Sequence, residues 1–253
     1  MAESPEAESL DVGIPGSGAT GFSVHASPEP ILSAEQLRDV LDGVFRLREH
    51  WIARAPGFFT LGLALYKDGR ESGGRPLDVD ESNARLEESF GPALAELKAF
   101  LERELDAEVE WGQGLPLPGF HVFDATALRP AEPTGDAHFD IQYVWGGFEE
   151  PVLDVVSVTV PIQIPAGGTS LEYWPVDYAE FERLYTNETI ESVADAERLF
   201  PMHDVAYEPG KPCLIRGLPL HRIGTTPRVE PSDHRITLQG HAVRLGERWV
   251  AYW

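Results

Sequence analysis

Eight apolar or alternating segments fill the chain from about Gly114 onward: GFHVFDATAL, AHFDIQYVW, VLDVVSVTVPIQI, TSLEYW, HDVAYEPG, PCLIRG, HRIGTT and RITLQGHAVRL, each bounded by Pro, Gly or charged turns. Short runs punctuated in this way read as strands of one antiparallel assembly. Eight of them predict a jelly roll, a mainly β (α+β) fold built as a double-stranded β-helix of cupin-like form. One helical stretch, YAEFERLYTNETIESVADAERLF at about 178–200, enters between the fourth and fifth segments as an acidic, aromatic insert. A lid, a dimer contact and plain packing are all open to it.

The N-terminal half reads differently. Residues 1–20 are rich in Glu, Ser, Gly and Pro with few large apolar side chains, so burial cannot offset the entropy of ordering them, and a disordered acidic tail is expected. GFSVHAS reads as a short strand. Ser33 with Gln36 forms a capping-box signature ahead of AEQLRDVLDGVFRLREHW, where Leu37, Val40, Leu41, Val44 and Phe45 recur at helical spacing. FFTLGLALYK reads as a buried strand and DGRESGGRPLD as a loop. Leu86, Phe90, Leu94, Leu97, Leu101 and Leu105 then mark the apolar stripe of a second helix, with Gly91-Pro92 as a kink or a break. The expected organisation is one catalytic domain over 21–253: a helical part at 21–113 packed on one sheet of a jelly-roll core at 114–253.

Composition narrows the partners. With 42 acidic against 20 basic residues, the formal net charge of -22 disfavours nucleic acid and anionic membranes as partners, since both demand dense Lys and Arg. Cys213 is the only cysteine, which rules out an intrachain disulfide and a Cys-cluster zinc site. No secretory signal or membrane-length apolar run is visible, so a cytoplasmic protein is expected.

Within the strand region, His138 and Asp140 form a His-x-Asp pair, His221 lies near the seventh segment, and Arg235 follows fourteen residues after His221. A lone His-x-Asp is common by chance; the combination carries the signal. Two imidazoles and one carboxylate on one face of an octahedral ion leave three coordination positions open, the donor set of non-haem iron oxygenases. Thr237 lies two residues beyond Arg235 and faces the same side of its strand. A guanidinium there offers two parallel donors to a carboxylate, although Arg235 could equally pair with Glu230 or Asp233.

These residues resemble the signature of the Fe(II)- and 2-oxoglutarate-dependent dioxygenases: His-x-Asp/Glu, a distal His, and an Arg some ten to fourteen residues further on. The resemblance covers roughly residues 115 to 245 and includes YEPGKPCLIRGLPLH leading into the distal His and Gly167-Gly168 ahead of TSLEYW. It implies a small bacterial-type hydroxylase, with His138, Asp140 and His221 as catalytic metal ligands and Arg235 and Thr237 binding 2-oxoglutarate. It also implies O2 as co-reactant and succinate and CO2 as coproducts. Halogenating relatives replace the carboxylate by Gly or Ala, so the intact Asp140 favours hydroxylation of an unactivated C–H bond.

The period-2 rule places Gln239 and His241 on the Arg235 face, and His121 and Gln142 can point inward beside them. Trp145 and Trp174 stand near the expected barrel mouth. These six are the candidate substrate contacts, and a free amino acid or small natural-product intermediate is the expected substrate. Two other classes stay open: a cupin-like metalloenzyme that does not use 2-oxoglutarate, and a metal-free jelly-roll binding module.

Overall fold

A computed structural model describes residues 21–72 and 77–253. The tail expected at 1–20 and residues 73–76 of the Gly-rich loop lie outside the described residues. Strand β1 (Ser23–Ala26) leads to helix α1 (Ala34–Arg46), whose start carries the capping box read from the sequence. The Gln36 backbone N–H donates to Ser33 Oγ at 3.2 Å, and the Ser33 N–H donates to Gln36 Oε1 at 2.9 Å. Two otherwise open donors of the helix start are satisfied by these bonds.

Strands β2 (Ile52–Ala55) and β3 (Phe58–Leu61) form an antiparallel pair. The segment FFTLGLALYK is not one strand: β3 stops at Leu61, Gly62 turns the chain with φ 109°, and Leu65–Gly69 winds into a π-helical turn. A short apolar run fits a strand and a buried turn equally well, so periodicity does not separate them.

Helix α2 (Asp80–Leu105) runs unbroken through Gly91-Pro92. An internal proline costs about 3 kcal/mol. Leu86, Phe90, Leu94, Leu97 and Leu101 are all buried along this helix, and truncating one such leucine costs about 2–5 kcal/mol, so the stripe outweighs the proline.

The remaining elements are β4 (Val109–Trp111), β5 (Gly119–Asp124), β6 (Pro133–His138), β7 (Val152–Gln163), β8 (Ser170–Asp177), α3 (Tyr178–Thr186) and α4 (Val193–Leu199). They continue with β9 (His203–Ala206), β10 (Cys213–Arg216), β11 (Pro219–Thr225), β12 (His234–Leu245) and β13 (Arg248–Tyr252). The larger sheet has the order β1-β10-β7-β12-β5-β3-β2, with β13 also paired to β12 and β4 running parallel to β13; the smaller has the order β6-β11-β8-β9. Between β5 and β12 the chain alternates between sheets except at β8 and β9, which follow one another in the same one: β5, β7, β10 and β12 lie in the larger, β6, β8, β9 and β11 in the smaller. The protein is thus mainly β, with two sheets and few helices.

Helices α1 and α2 back the larger sheet. Val40 and Val44 of α1 and Phe90, Leu94 and Leu97 of α2 share one core with Phe120, Val122, Val158, Ile236 and Leu238. Helices α3 and α4 cover the smaller sheet, where Leu184, Ile190 and Ala196 pack with Trp174, Val176 and Leu220. Arg222 ties this layer down, donating to Glu172 Oε2 at 2.7 Å on β8 and to Glu197 Oε2 at 3.2 Å on α4. Between the sheets the larger sheet turns a polar face inward: Arg235, Thr237, Gln239 and His241 alternate along β12, opposite Ser157 and Thr159 on β7 and His121 on β5. No helix among the described residues is long and apolar enough to cross a membrane.

Candidate functional site

Strand pairing brings the two histidines together. His221 on β11 is the direct cross-strand partner of His138 on β6, and the ring centroids lie 4.7 Å apart. A tight turn delivers β11 to this place: Gly217 and Leu218 both have positive φ, 81° and 55°, and the chain passes there from β10 in one sheet to β11 in the other. The sequence puts Asp140 on the same strand as His138, but β6 ends at His138 and Asp140 sits in the turn before a 3-10 segment at Gln142–Trp145. Leaving the strand lets the carboxylate face both imidazoles, with Oδ1 3.7 Å from His138 Nε2 and Oδ2 3.4 Å from His221 Nε2.

The donor atoms of His138, Asp140 and His221 lie within 4.8 Å of one another. Each imidazole donates its Nδ1–H to a backbone carbonyl two residues back, His138 to Asp136 at 2.9 Å and His221 to Pro219 at 2.9 Å. That selects the tautomer in which Nε2 keeps its lone pair, the form a metal ligand needs. Burial alone would push the Asp140 carboxyl up, but His221 in its protonated form, with Nε2–H toward the carboxylate and its own pKa raised by it, holds Asp140 well below the usual carboxylate range; a metal ion would take the place of that proton. The chemistry and spacing of this donor set fit a divalent ion. The His138 side chain is 55 % exposed while those of Asp140 and His221 are 13 % and 7 % exposed, so the group opens to solvent on one side only.

Arg235 is fully buried on β12, with its guanidinium carbon 5.5 Å from the Phe123 ring centre and 5.3 Å from that of Tyr207. Its Nη1 contacts Thr237 Oγ1 at 3.5 Å, whereas Nε and Nη2 have no hydrogen-bond partner. No carboxylate among the described residues lies within 4.0 Å of it, so pairing with Glu230 or Asp233 is not seen; those two residues bond to each other through the Glu230 N–H. A buried cation without a counter-charge is costly by several kcal/mol or more. Burial lowers the guanidinium pKa and the neighbouring Tyr207 phenol opposes it; arginine starts so high that the group remains charged.

The expected substrate contacts divide. Gln142 and His241 meet, the amide nitrogen lying 2.6 Å from the imidazole, and Ser157 Oγ lies 2.9 Å from His241 Nδ1; burial pushes His241 down to about 4, so it is neutral. Gln239 donates to Thr237 Oγ1 at 3.0 Å and accepts from Thr159 at 3.0 Å, which extends the polar row from Arg235. His121 bonds Tyr66 Oη at 2.8 Å. Trp145 lies in the 3-10 segment beside Gly69. Trp174 is placed elsewhere: it neighbours Leu220, not His221, across β8 and β11, and its indole N–H donates to the Glu197 carbonyl at 3.2 Å under α4. Strand alternation therefore points it away from the three metal-ligating candidates, into the outer layer.

Sequence reasoning does not single out Tyr66 or Tyr207. Tyr66 is hidden in a segment that reads as strand, and Tyr207 follows β9 with no motif to mark it. Pairing and packing alone place them beside His121 and Arg235.

No protein-family model matches this chain, and no curated protein matches it. Solved structures with a similar course include AviO1 from Streptomyces viridochromogenes Tue57, at 13 % identity and TM-score 0.47 over 90 % of this chain and 91 % of that one. The non-heme alpha ketoglutarate dependent epimerase SnoN from nogalamycin biosynthesis aligns at 14 % identity and TM-score 0.48, covering 89 % and 81 %. An N-substituted L-amino acid dioxygenase from Burkholderia ambifaria AMMD aligns at 15 % and 0.48, covering 92 % and 86 %. These likenesses are distant and concern the course of the chain alone.

Proposed function

We propose that this protein is a non-haem Fe(II)- and 2-oxoglutarate-dependent oxygenase built on a double-stranded β-helix, hydroxylating an unactivated C–H bond of a small molecule. The alternation of β5 to β12 between two sheets supports the β-helix reading. His138, Asp140 and His221 would hold the iron, and Arg235 with Thr237 would bind the far carboxylate of 2-oxoglutarate. When bound, iron with O2 and 2-oxoglutarate supplies the oxidation, in which 2-oxoglutarate becomes succinate and CO2 and one oxygen atom enters the substrate C–H bond.

One observation carries the reading: a buried guanidinium with two donors unsatisfied, inside the same sheet pair as the three-ligand group. A cupin-like metalloenzyme that dispenses with 2-oxoglutarate leaves that cation unexplained, and a metal-free binding module leaves the convergent donors unexplained as well. The remaining residues have physical roles: Pro219 and Asp136 carbonyls orient the imidazoles, Phe123 and Tyr207 flank the guanidinium, and the Asp140 carboxylate would serve as a metal ligand where a halogenase would need a halide. Anaerobic addition of Fe(II) and 2-oxoglutarate should give a weak visible charge-transfer band, lost in His138→Ala and His221→Ala. A folded protein with no such band, and no succinate release in air, would sink the proposal.

A further inference from the structure

The Tyr66–His121 contact is not used by the proposed chemistry, yet the fold anchors it at several points. Tyr66 stands on the π-helical turn Leu65–Gly69, a form that often marks functional positions. A buried ion pair fastens this turn: Arg54 Nη1 and Nη2 donate to Asp68 Oδ1 and Oδ2 at 2.8 and 2.6 Å, with side chains 6 % and 14 % exposed. Arg54 Nε also donates to Thr60 Oγ1 at 3.0 Å, and Asp68 Oδ2 accepts the Ala64 N–H at 2.7 Å. The Leu65 N–H donates to the Trp253 carbonyl at 2.8 Å. Such bidentate anchoring sets an orientation, which a loose surface loop does not require.

His121 lies on the inward face of β5, directly across from Thr237, and its ring meets Phe58, Trp253 and Tyr66 at centroid distances of 5.1, 5.3 and 5.8 Å. It is within electrostatic reach of Arg235, His241, His138 and Asp140. Among the described residues no other hydrogen bond engages the side chains of His121 or Tyr66, and no carboxylate lies within 4.0 Å of the His121 ring. If the phenol donates to Nε2, the imidazole keeps a spare Nδ1–H and the phenol oxygen keeps lone pairs. If Nε2–H donates, the phenol O–H is spare and Nδ1 accepts. Each tautomer thus leaves one donor and one acceptor without a formal charge, the complement of a hydroxyl or carbonyl oxygen. Neither side chain offers a carboxylate or an ammonium an ionic partner of its own, so a charged group bound there draws less from this pair than a neutral oxygen does. Lys67 Nζ lies 5.9 Å from the Tyr66 ring centre.

We propose that Tyr66 and His121 are the substrate-orienting pair, that they select a neutral molecule bearing a hydroxyl or carbonyl oxygen over a zwitterionic amino acid, and that Arg54–Asp68 is the positioning pair that holds Tyr66 in place. This rests on the oxygenase reading above, so the first measurement is the anaerobic Fe(II)/2-oxoglutarate band; its absence in the wild type overturns that reading and this one together. With the band present, succinate release is measured with neutral ring alcohols and ketones (cyclohexanol, cyclohexanone, methyl glucoside) and with free amino acids. Neutral compounds should raise release at least fivefold over the uncoupled rate. Tyr66→Phe and His121→Leu should raise the KM of the stimulating compound about tenfold while leaving the affinity for 2-oxoglutarate unchanged. Asp68→Asn should shift the same KM in the same direction, with kcat largely kept and the melting temperature recorded as a control for folding. Stimulation by amino acids instead, dependent on Lys67, overturns the selectivity. Silence of both panels, or an unchanged substrate KM in Tyr66→Phe and His121→Leu, overturns it as well, and weakened binding of the cosubstrate in those variants would assign the pair to 2-oxoglutarate.

Discussion

At the scale of single residues, Arg235 is the sharpest case because its energetics in isolation are wrong. It is fully buried, charged and short of two partners, which a structural arginine would not be. Replacing a buried charge with an apolar side chain of similar size is often neutral or stabilising. Arg235→Met should therefore melt at the same temperature as wild type or higher while binding 2-oxoglutarate roughly a hundredfold more weakly, since a charge-assisted bidentate contact contributes about 3 kcal/mol. Calorimetry and a 2-oxoglutarate titration of the Fe(II) protein check both halves, and a large loss of stability would show that the arginine serves the fold instead. The spacing of His138, Asp140, His221 and Arg235 exposed these residues to sequence reasoning. The carbonyl partners that select the histidine tautomers were not legible, because Asp136 and Pro219 act through their backbones, on which residue identity has little hold.

At the scale of elements, two glycines in the helices behave differently. Beyond its own helix a Cβ added to Gly91 in α2 meets nothing within 4 Å, whereas a Cβ on Gly43 in α1 would lie 2.7 Å from Phe90 Cε1. Gly91→Ala should change stability by less than about 1 kcal/mol, because the gain in helix propensity is opposed by contact of the new Cβ with the Pro92 ring that follows it. Gly43→Ala should lose about 1–3 kcal/mol by forcing α1 off α2. Thermal melts read the two effects directly; equal shifts would mean that the helices pack less closely than they stand here. Elements were legible where a local signal marked them, as Ser33 and Gln36 mark the start of α1. Strands β2 and β13 and the π-helical turn were not, since IARA and RWVAY are short runs whose conformation is set by their neighbours β3 and β12.

At the scale of the whole molecule, the two sheets meet over a polar interior, and filling it should stabilise everything around it. A ligand that binds only the folded state at about 100 times its Kd adds about 2.7 kcal/mol. For a chain of this size that is a rise of roughly 5–10 °C in melting temperature. Fe(II) with 2-oxoglutarate under argon should produce a shift of that order, and His221→Ala should abolish it; an identical shift in that variant would place the bound metal elsewhere. The insert at α3 and α4 is held to the outer face of the smaller sheet by Trp174, Arg222 and Glu197, and its Tyr178 and Phe181 rings pack on Phe139, between His138 and Asp140.

The sequence by itself determined which chemistry was available and how the chain is punctuated. Imidazole, carboxylate and guanidinium in their order along the chain, helical stripes in the N-terminal half and Pro/Gly-bounded strands after Gly114 are properties of the one-dimensional sequence, readable without knowing which segments meet. Only the tertiary structure decided who faces whom. The pairing of His138 with His221, the separation of Trp174 from the metal-ligating candidates, the caging of Arg235 by Phe123 and Tyr207, and the bond from Tyr66 to His121 all depend on register between strands and turns far apart in the chain. Register sends a side chain to one face of a sheet or the other with a slip of a single residue, and it is set by packing of the whole molecule rather than by local pattern.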